Sequence, residues 1–108
     1  MTPLRPGTIA HSVFIRFHDA VSDQQRETLI AEIQNLGEAC GGKEQGILFW
    51  QVGRNRDQRK NWHFVELAVF EDSAAMERFR VHPAHATHSE AMRSLADWVV
   101  GDLDITDV

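Results

Sequence analysis

A chain of 108 residues and 12.3 kDa has room for a single domain, residues 1–108, with a modest core. Its 43% hydrophobic and 25% charged residues exclude a disordered chain, and a formal charge of −5 excludes a general nucleic-acid binder, which needs a basic face to displace counterions from phosphate. One cysteine, Cys40, excludes an internal disulfide, and no apolar run reaches the length of a membrane span, so the expected setting is the cytoplasm, away from membranes.

Residues 1–7, with Pro3, Arg5, Pro6 and Gly7, read as a flexible arm. The first strand then spans Ile9–Phe17, with His11, Val13, Ile15 and Phe17 on one face and Ser12, Phe14 and Arg16 on the other. Ser22-Asp23-Gln24-Gln25 is a capping-box arrangement that starts a helix near Asp23. Leu29, Ile30, Ile33 and Leu36 continue it, and either Gly37 or the pair Gly41-Gly42 ends it. The second strand, Ile47–Arg54, is apolar on both sides, which predicts that both of its faces are covered.

After a polar loop, residues 62–70 form a third strand that alternates His63, Val65, Leu67 and Val69 against Phe64, Glu66, Ala68 and Phe70. Asp72 or Ser73 caps a short helix that breaks at His82-Pro83, and helical spacing resumes over residues 84–97. A last strand is predicted over residues 99–105, where Asp102 and Asp104 alternate with Leu103 and Ile105, so one of its faces is wet or near a cation. The order strand, helix, strand, strand, helix, strand predicts an α+β, ferredoxin-like βαββαβ unit, a four-stranded antiparallel sheet with helices on one face. Val65, Leu67 and Val69 leave the other face apolar, so a homodimer through sheet faces is expected.

Several of these segments together resemble the stress-responsive dimeric α/β barrel (Dabb) domains over nearly the whole chain. The matching stretches are the strand from His11 to Phe17, Val21-Ser22-Asp23-Gln24-Gln25, Gln51-Val52-Gly53-Arg54-Asn55, Phe70-Glu71-Asp72, and residues 79–85 with their His82-Pro83-Ala84-His85. The resemblance implies protomers that pair sheet to sheet, each with a ligand pocket between sheet and helices. It does not imply one function, since the family includes cofactor-free cyclases and plant proteins linked to stress tolerance. In the cyclase-like relatives four polar side chains line the pocket. His11 and His85 match two of them, whereas Phe64 stands in place of a third-strand histidine and Phe79 in place of a tyrosine.

An imidazole titrates near neutrality, so His85 is a candidate general base, with His11 beside it. Without the phenol at Phe79, Glu66 is the candidate acid, base or ligand anchor, because the resemblance implies that its strand face, shared with Phe64, Ala68 and Phe70, points at the helices, where a dry carboxyl is pushed toward its neutral form. Phe64, Phe79, Met92 and Ile15 are the candidate apolar ligand wall. Plainer roles stand beside these: His85 as a capping or packing residue, His11 as a core histidine, and Glu66 as a paired or solvated strand-end carboxylate. His82 reads as an N-cap. His82, His85 and His88 recur every three residues, but that spacing spreads the rings over more than one turn, so no metal site is expected.

Arg54, Arg56, Arg59 and Lys60, opposed by Asp57, form a basic loop that either is solvated, gates an anion, or meets Asp102, Asp104 and Asp107 of a neighbouring chain. Cys40 has no histidine or second cysteine near it in sequence and is not expected to be a nucleophile. The expected function is binding or transformation of a small apolar carbonyl or phenolic compound without a cofactor. The alternatives are a non-enzymatic stress-related or structural dimer and a cofactor-free monooxygenase-like activity.

Overall fold

The computed structural model describes residues 4–106. Its order is β1 (Ile9–Phe17), α1 (Asp23–Ala39), a 3-10 turn (Gly42–Gln45), β2 (Ile47–Arg54), β3 (Phe64–Phe70), α2 (Ser73–Val81), α3 (Pro83–Arg93) and β4 (Ala96–Asp104). The strands form one antiparallel sheet in the order β2-β3-β1-β4, the ferredoxin-like arrangement. Of the expected flexible arm, residues 1–3 lie outside the described residues. Residues 5–8 form a turn in which the Gly7 N–H donates to the Ile105 carbonyl at 2.9 Å and the Thr8 hydroxyl donates to the Arg5 carbonyl at 2.7 Å.

Local chemistry sets the helix ends. At α1 the Ser22 hydroxyl accepts from the Gln25 N–H (3.1 Å) and the Gln25 side chain accepts from the Ser22 N–H (2.9 Å), closing the predicted capping box. The helix passes Gly37 and ends at Cys40, because Leu36 and Gly37 still pack inward. Asp72 caps α2 by accepting from the Ala75 N–H at 2.8 Å. His82 ends α2 and starts α3, its Nδ1 accepting from the Ala84 N–H at 3.0 Å with Pro83 in the first turn.

Three boundaries differ from the sequence reading by two residues or more. Helix α3 stops at Arg93 rather than continuing to residue 97, and β4 begins at Ala96 rather than near residue 99. Ala96 and Asp97 pair with Phe17 and Arg16 of β1, and these ladder bonds outweigh the helical spacing of Leu95. Strand β3 begins at Phe64 instead of Trp62, after Asn61 turns the chain with a φ of 60°.

Register sorts the sheet into two faces. The inner rows are Trp50-Ala68-His11-Asp102, then Val52-Glu66-Val13-Val100, then Arg54-Phe64-Ile15-Trp98. The helices cover these rows with Leu29, Ile33, Leu36, Phe79 and Met92. The outer face carries Phe49, Val69, Leu67, Val99 and Leu103, with Leu103 62% exposed, so the second side of β2 is uncovered within one chain. No helix among the described residues is long and apolar enough to cross a membrane.

Helix α1 reaches the sheet at Gly37, where a β-carbon would stand 2.7 Å from the Trp50 ring. That ring cannot swing away freely, because its Nε1–H donates to the Ile33 carbonyl at 3.0 Å. Alanine normally favours a helix over glycine by about 1 kcal/mol, but the overlap costs about 1–3 kcal/mol. Gly37→Ala is therefore expected to lower the urea midpoint, and a raised midpoint would show that Trp50 does not seat against this helix.

Candidate functional site

Between the inner sheet face and the helices α2 and α3 lies a cleft of about 290 Å³. His11, Val13, Glu66, Trp98, Val100 and Asp102 supply its sheet side; Leu36, Met76, Phe79, Arg80, His85, His88, Ser89 and Met92 supply its helix side. Five of the seven residues singled out from sequence thus come together here: His11, Glu66, His85, Phe79 and Met92. Ile15 and Phe64 do not. They lie one row farther along the sheet, where Phe64 packs edge-on against Phe17 at 5.7 Å and Ile15 is fully buried. Both are on the inner face, but they pack in the cluster that holds Leu29 and Ile33 of α1, and of their row only Trp98, on β4, reaches the cleft.

Glu66 stands in the centre of the sheet and is 5% exposed. Its titratable neighbour is His11, whose Nε2 lies 3.6 Å from the carboxyl, too far for a hydrogen bond. Burial without a hydrogen-bonded partner pushes its pKa up to about 8, so at neutrality it is predominantly a carboxylic acid with an O–H to donate. His11 turns its other nitrogen, Nδ1, to Asp102, its cross-strand neighbour, at 2.5 Å. The imidazole therefore bridges an exposed carboxylate and a buried acid.

His85 opens α3. Its Nδ1 is 3.1 Å from the Arg80 backbone carbonyl. A carbonyl only accepts, so Nδ1 carries the proton and Nε2 keeps its lone pair. Burial holds this imidazole below its ordinary pKa against the opposing pull of the Arg80 carbonyl, and the nearby His11 and Arg80 charges push the same way as burial. The Phe79 ring lies 4.6 Å from the His85 ring and 6.1 Å from that of His11, an apolar wall between two imidazoles. At neutral pH the cleft thus holds a neutral base and a neutral acid on facing layers, the combination that moves protons without net charge.

Other candidate residues are used structurally. His82 is the N-cap of α3, and His63 Nδ1 accepts from the Phe17 N–H at 3.2 Å, so neither shares a centre with His85. Cys40 is buried, and burial raises its pKa, keeping it a thiol. Arg59 is spent on Asp57, to which it donates at 2.6 to 3.1 Å within its own loop. Asp102 contacts His11 within its own chain, and Asp107 lies outside the described residues.

Sequence reasoning missed Asp102 as the partner of His11, although its alternation with Leu103 marks its face as wet or near a cation. It also missed His88, which its spacing from His85 placed on the same side of α3.

The model of the stress responsive A/B barrel domain matches residues 9–105. An uncharacterised protein of Streptomyces coelicolor is 28% identical over 97 residues, covering 89% of this chain and 98% of that protein. Among solved structures, the hydroxynitrile lyase of Passiflora edulis superposes with a TM-score of 0.81 at 19% identity, covering 96% of this chain and 98% of the lyase. A dimeric ferredoxin-like protein of unknown function from Thermobifida fusca superposes with a TM-score of 0.77 at 20% identity, covering 95% of each chain. At these identities the superpositions establish a shared ferredoxin-like fold, while the domain match spans nearly all of the sequence: this chain belongs to the stress responsive A/B barrel domain (Dabb) family.

Proposed function

We propose that this protein is a cofactor-independent acid–base catalyst for a small apolar carbonyl or phenolic compound, working as a homodimer. The observation that carries the reading is the pairing, in one cleft, of an imidazole whose Nε2 lone pair is free with a carboxyl that burial keeps protonated. In the proposed step the carbonyl oxygen accepts the Glu66 proton while His85 Nε2 takes a proton from the adjacent carbon, giving an enol, imidazolium and carboxylate. His11, held by Asp102, stands beside Glu66 to return the proton. Phe79 and Met92 supply the apolar wall. That the lyase of Passiflora edulis shares this fold is compatible with such chemistry, and the fold alone does not carry it.

The dimer follows from the outer sheet face. Phe49, Leu67, Val99 and Leu103 present apolar side chains side by side, a surface that a second copy of the same sheet covers. The dimeric relative from Thermobifida fusca supports this assembly.

Deuterium exchange into the carbon beside the carbonyl of cyclohexanone, followed in D2O, tests the chemistry. The protein is expected to exceed the buffer rate, and both His85→Ala and Glu66→Gln to lose about 100-fold or more of the enhancement. Exchange no faster than buffer, or variants that retain it, would refute the assignment.

Glu66 also dictates a pH dependence of stability. Below about 4.5 both folded and unfolded chains hold this proton; between there and about 8 the unfolded chain loses it while the fold keeps it. Stability therefore falls as pH climbs through that window, by on the order of 4 kcal/mol relative to Glu66→Gln. His85 and His88, whose pKa values burial lowers, act oppositely near pH 6, and the comparison with the variant cancels them. Parallel urea curves for the two proteins at pH 5 and pH 8 would contradict the burial argument.

Sedimentation should give a dimer for the native chain and a folded monomer for Leu67→Glu, which places a charge in the middle of the apolar face. A native monomer at micromolar concentration would remove the paired-sheet assembly.

A further inference from the structure

His88 lies one turn beyond His85 on α3, lines the same cleft, and is only 9% exposed. Neither of its ring nitrogens has a hydrogen-bond partner among the described residues; burial and the neighbouring His85 are the influences on its titration. The other five imidazoles have defined protein contacts: His82 caps a helix, His63 accepts from Phe17, His85 meets the Arg80 carbonyl, His11 meets Asp102 and His18 meets Asp97. A neutral imidazole carries one donor and one acceptor; here no protein group takes either, and neither ring nitrogen is sealed from solvent, so both are free to meet a molecule in the cleft. Such a group is tolerated where something other than the protein satisfies it.

The geometry points to His88 as a second polar anchor of the cleft, which hydrogen-bonds an oxygen of the ligand other than the one that meets Glu66. This rests on the reading of the cleft as a carbonyl site and narrows its ligand class to neutral hydroxy-carbonyl compounds about one ring in size. Three features support that class. The cleft volume of about 290 Å³ suits a single ring with substituents. Glu66 is on β3 while His85 and His88 are on α3, so the polar groups sit on facing layers and a ligand meets them at separate positions. Residues three apart on a helix have β-carbons about 5–6 Å from each other, which gives His85 and His88 distinct points of contact on one ring.

The test uses the full chain with benzaldehyde and 3-hydroxybenzaldehyde as probes, their affinities read by NMR titration, together with urea midpoints. The native protein is expected to bind the hydroxylated probe about tenfold more tightly, a difference that one well-made hydrogen bond supplies. His88→Leu should abolish that preference while leaving benzaldehyde affinity within about twofold, and His88→Gln, which keeps a donor and an acceptor, should restore part of it. His88→Leu should leave the urea midpoint level or raise it, since it breaks no hydrogen bond within the protein.

A preference that survives His88→Leu, or a midpoint that falls, would overturn the assignment. If neither probe binds the native protein, the carbonyl reading fails on its own. The midpoint then decides the role of His88: a level or higher value keeps it as a group awaiting an external partner, and a fall makes it a packing residue.

Discussion

The molecule depends on one unfavourable arrangement, a carboxyl buried at the centre of the sheet with no hydrogen bond to hold it. Glu66 pairs across to Val13 on one side and Val52 on the other, the position at which an apolar residue would stabilise the sheet. Burial there keeps its proton in place at neutral pH. The remaining features of the cleft follow from that neutral acid. His11 can approach to 3.6 Å without forming a buried ion pair, Asp102 can hold the far side of His11 at the sheet edge, and His85 can remain an uncharged base nearby. A core that gives up stability at one point to hold reactive groups is the usual signature of a functional site.

One sheet performs two tasks because its alternation is strict. Each strand sends one set of side chains to the helices and the other set outward. His11, Val13 and Glu66 therefore reach the cleft, while Leu67, Val69 and Leu103 make the outer apolar face. A slip of one residue in β3 would bury Leu67 and expel Glu66, so the register of that strand fixes both faces at once. The aromatic pair Phe70 and Phe79, with centroids 5.1 Å apart, packs against His11, both rings edge-on to the imidazole.

Much of this was legible in the sequence. Period-two alternation separated Glu66 and Phe70 from Leu67 and Val69, the family resemblance directed the first set at the helices, and the Ser22 to Gln25 and His82-Pro83 signals marked helix starts that the structure confirms. The element order gave the fold, and the resemblance of separate short stretches gave the family. Pairing between distant elements was not legible. The early start of β4 is set by its ladder with β1, and the exclusion of Ile15 and Phe64 from the cleft by where α1 lies over the sheet. The His11–Asp102 contact joins residues 91 apart and appears only once β1 and β4 lie side by side. His88 was visible as a member of a three-residue repeat of histidines, but only the structure distinguishes the ring left without a partner from those already engaged.

The most direct measurement is a carbon-13 NMR titration of the Glu66 side-chain carboxyl in the intact protein, assigned by comparison with Glu66→Gln. A midpoint near 8 is the outcome the buried, unpaired carboxyl dictates. A midpoint near 4.5, the ordinary value for glutamate, would mean that this group is solvated or ion-paired at neutral pH, and the cleft would then lack its acid.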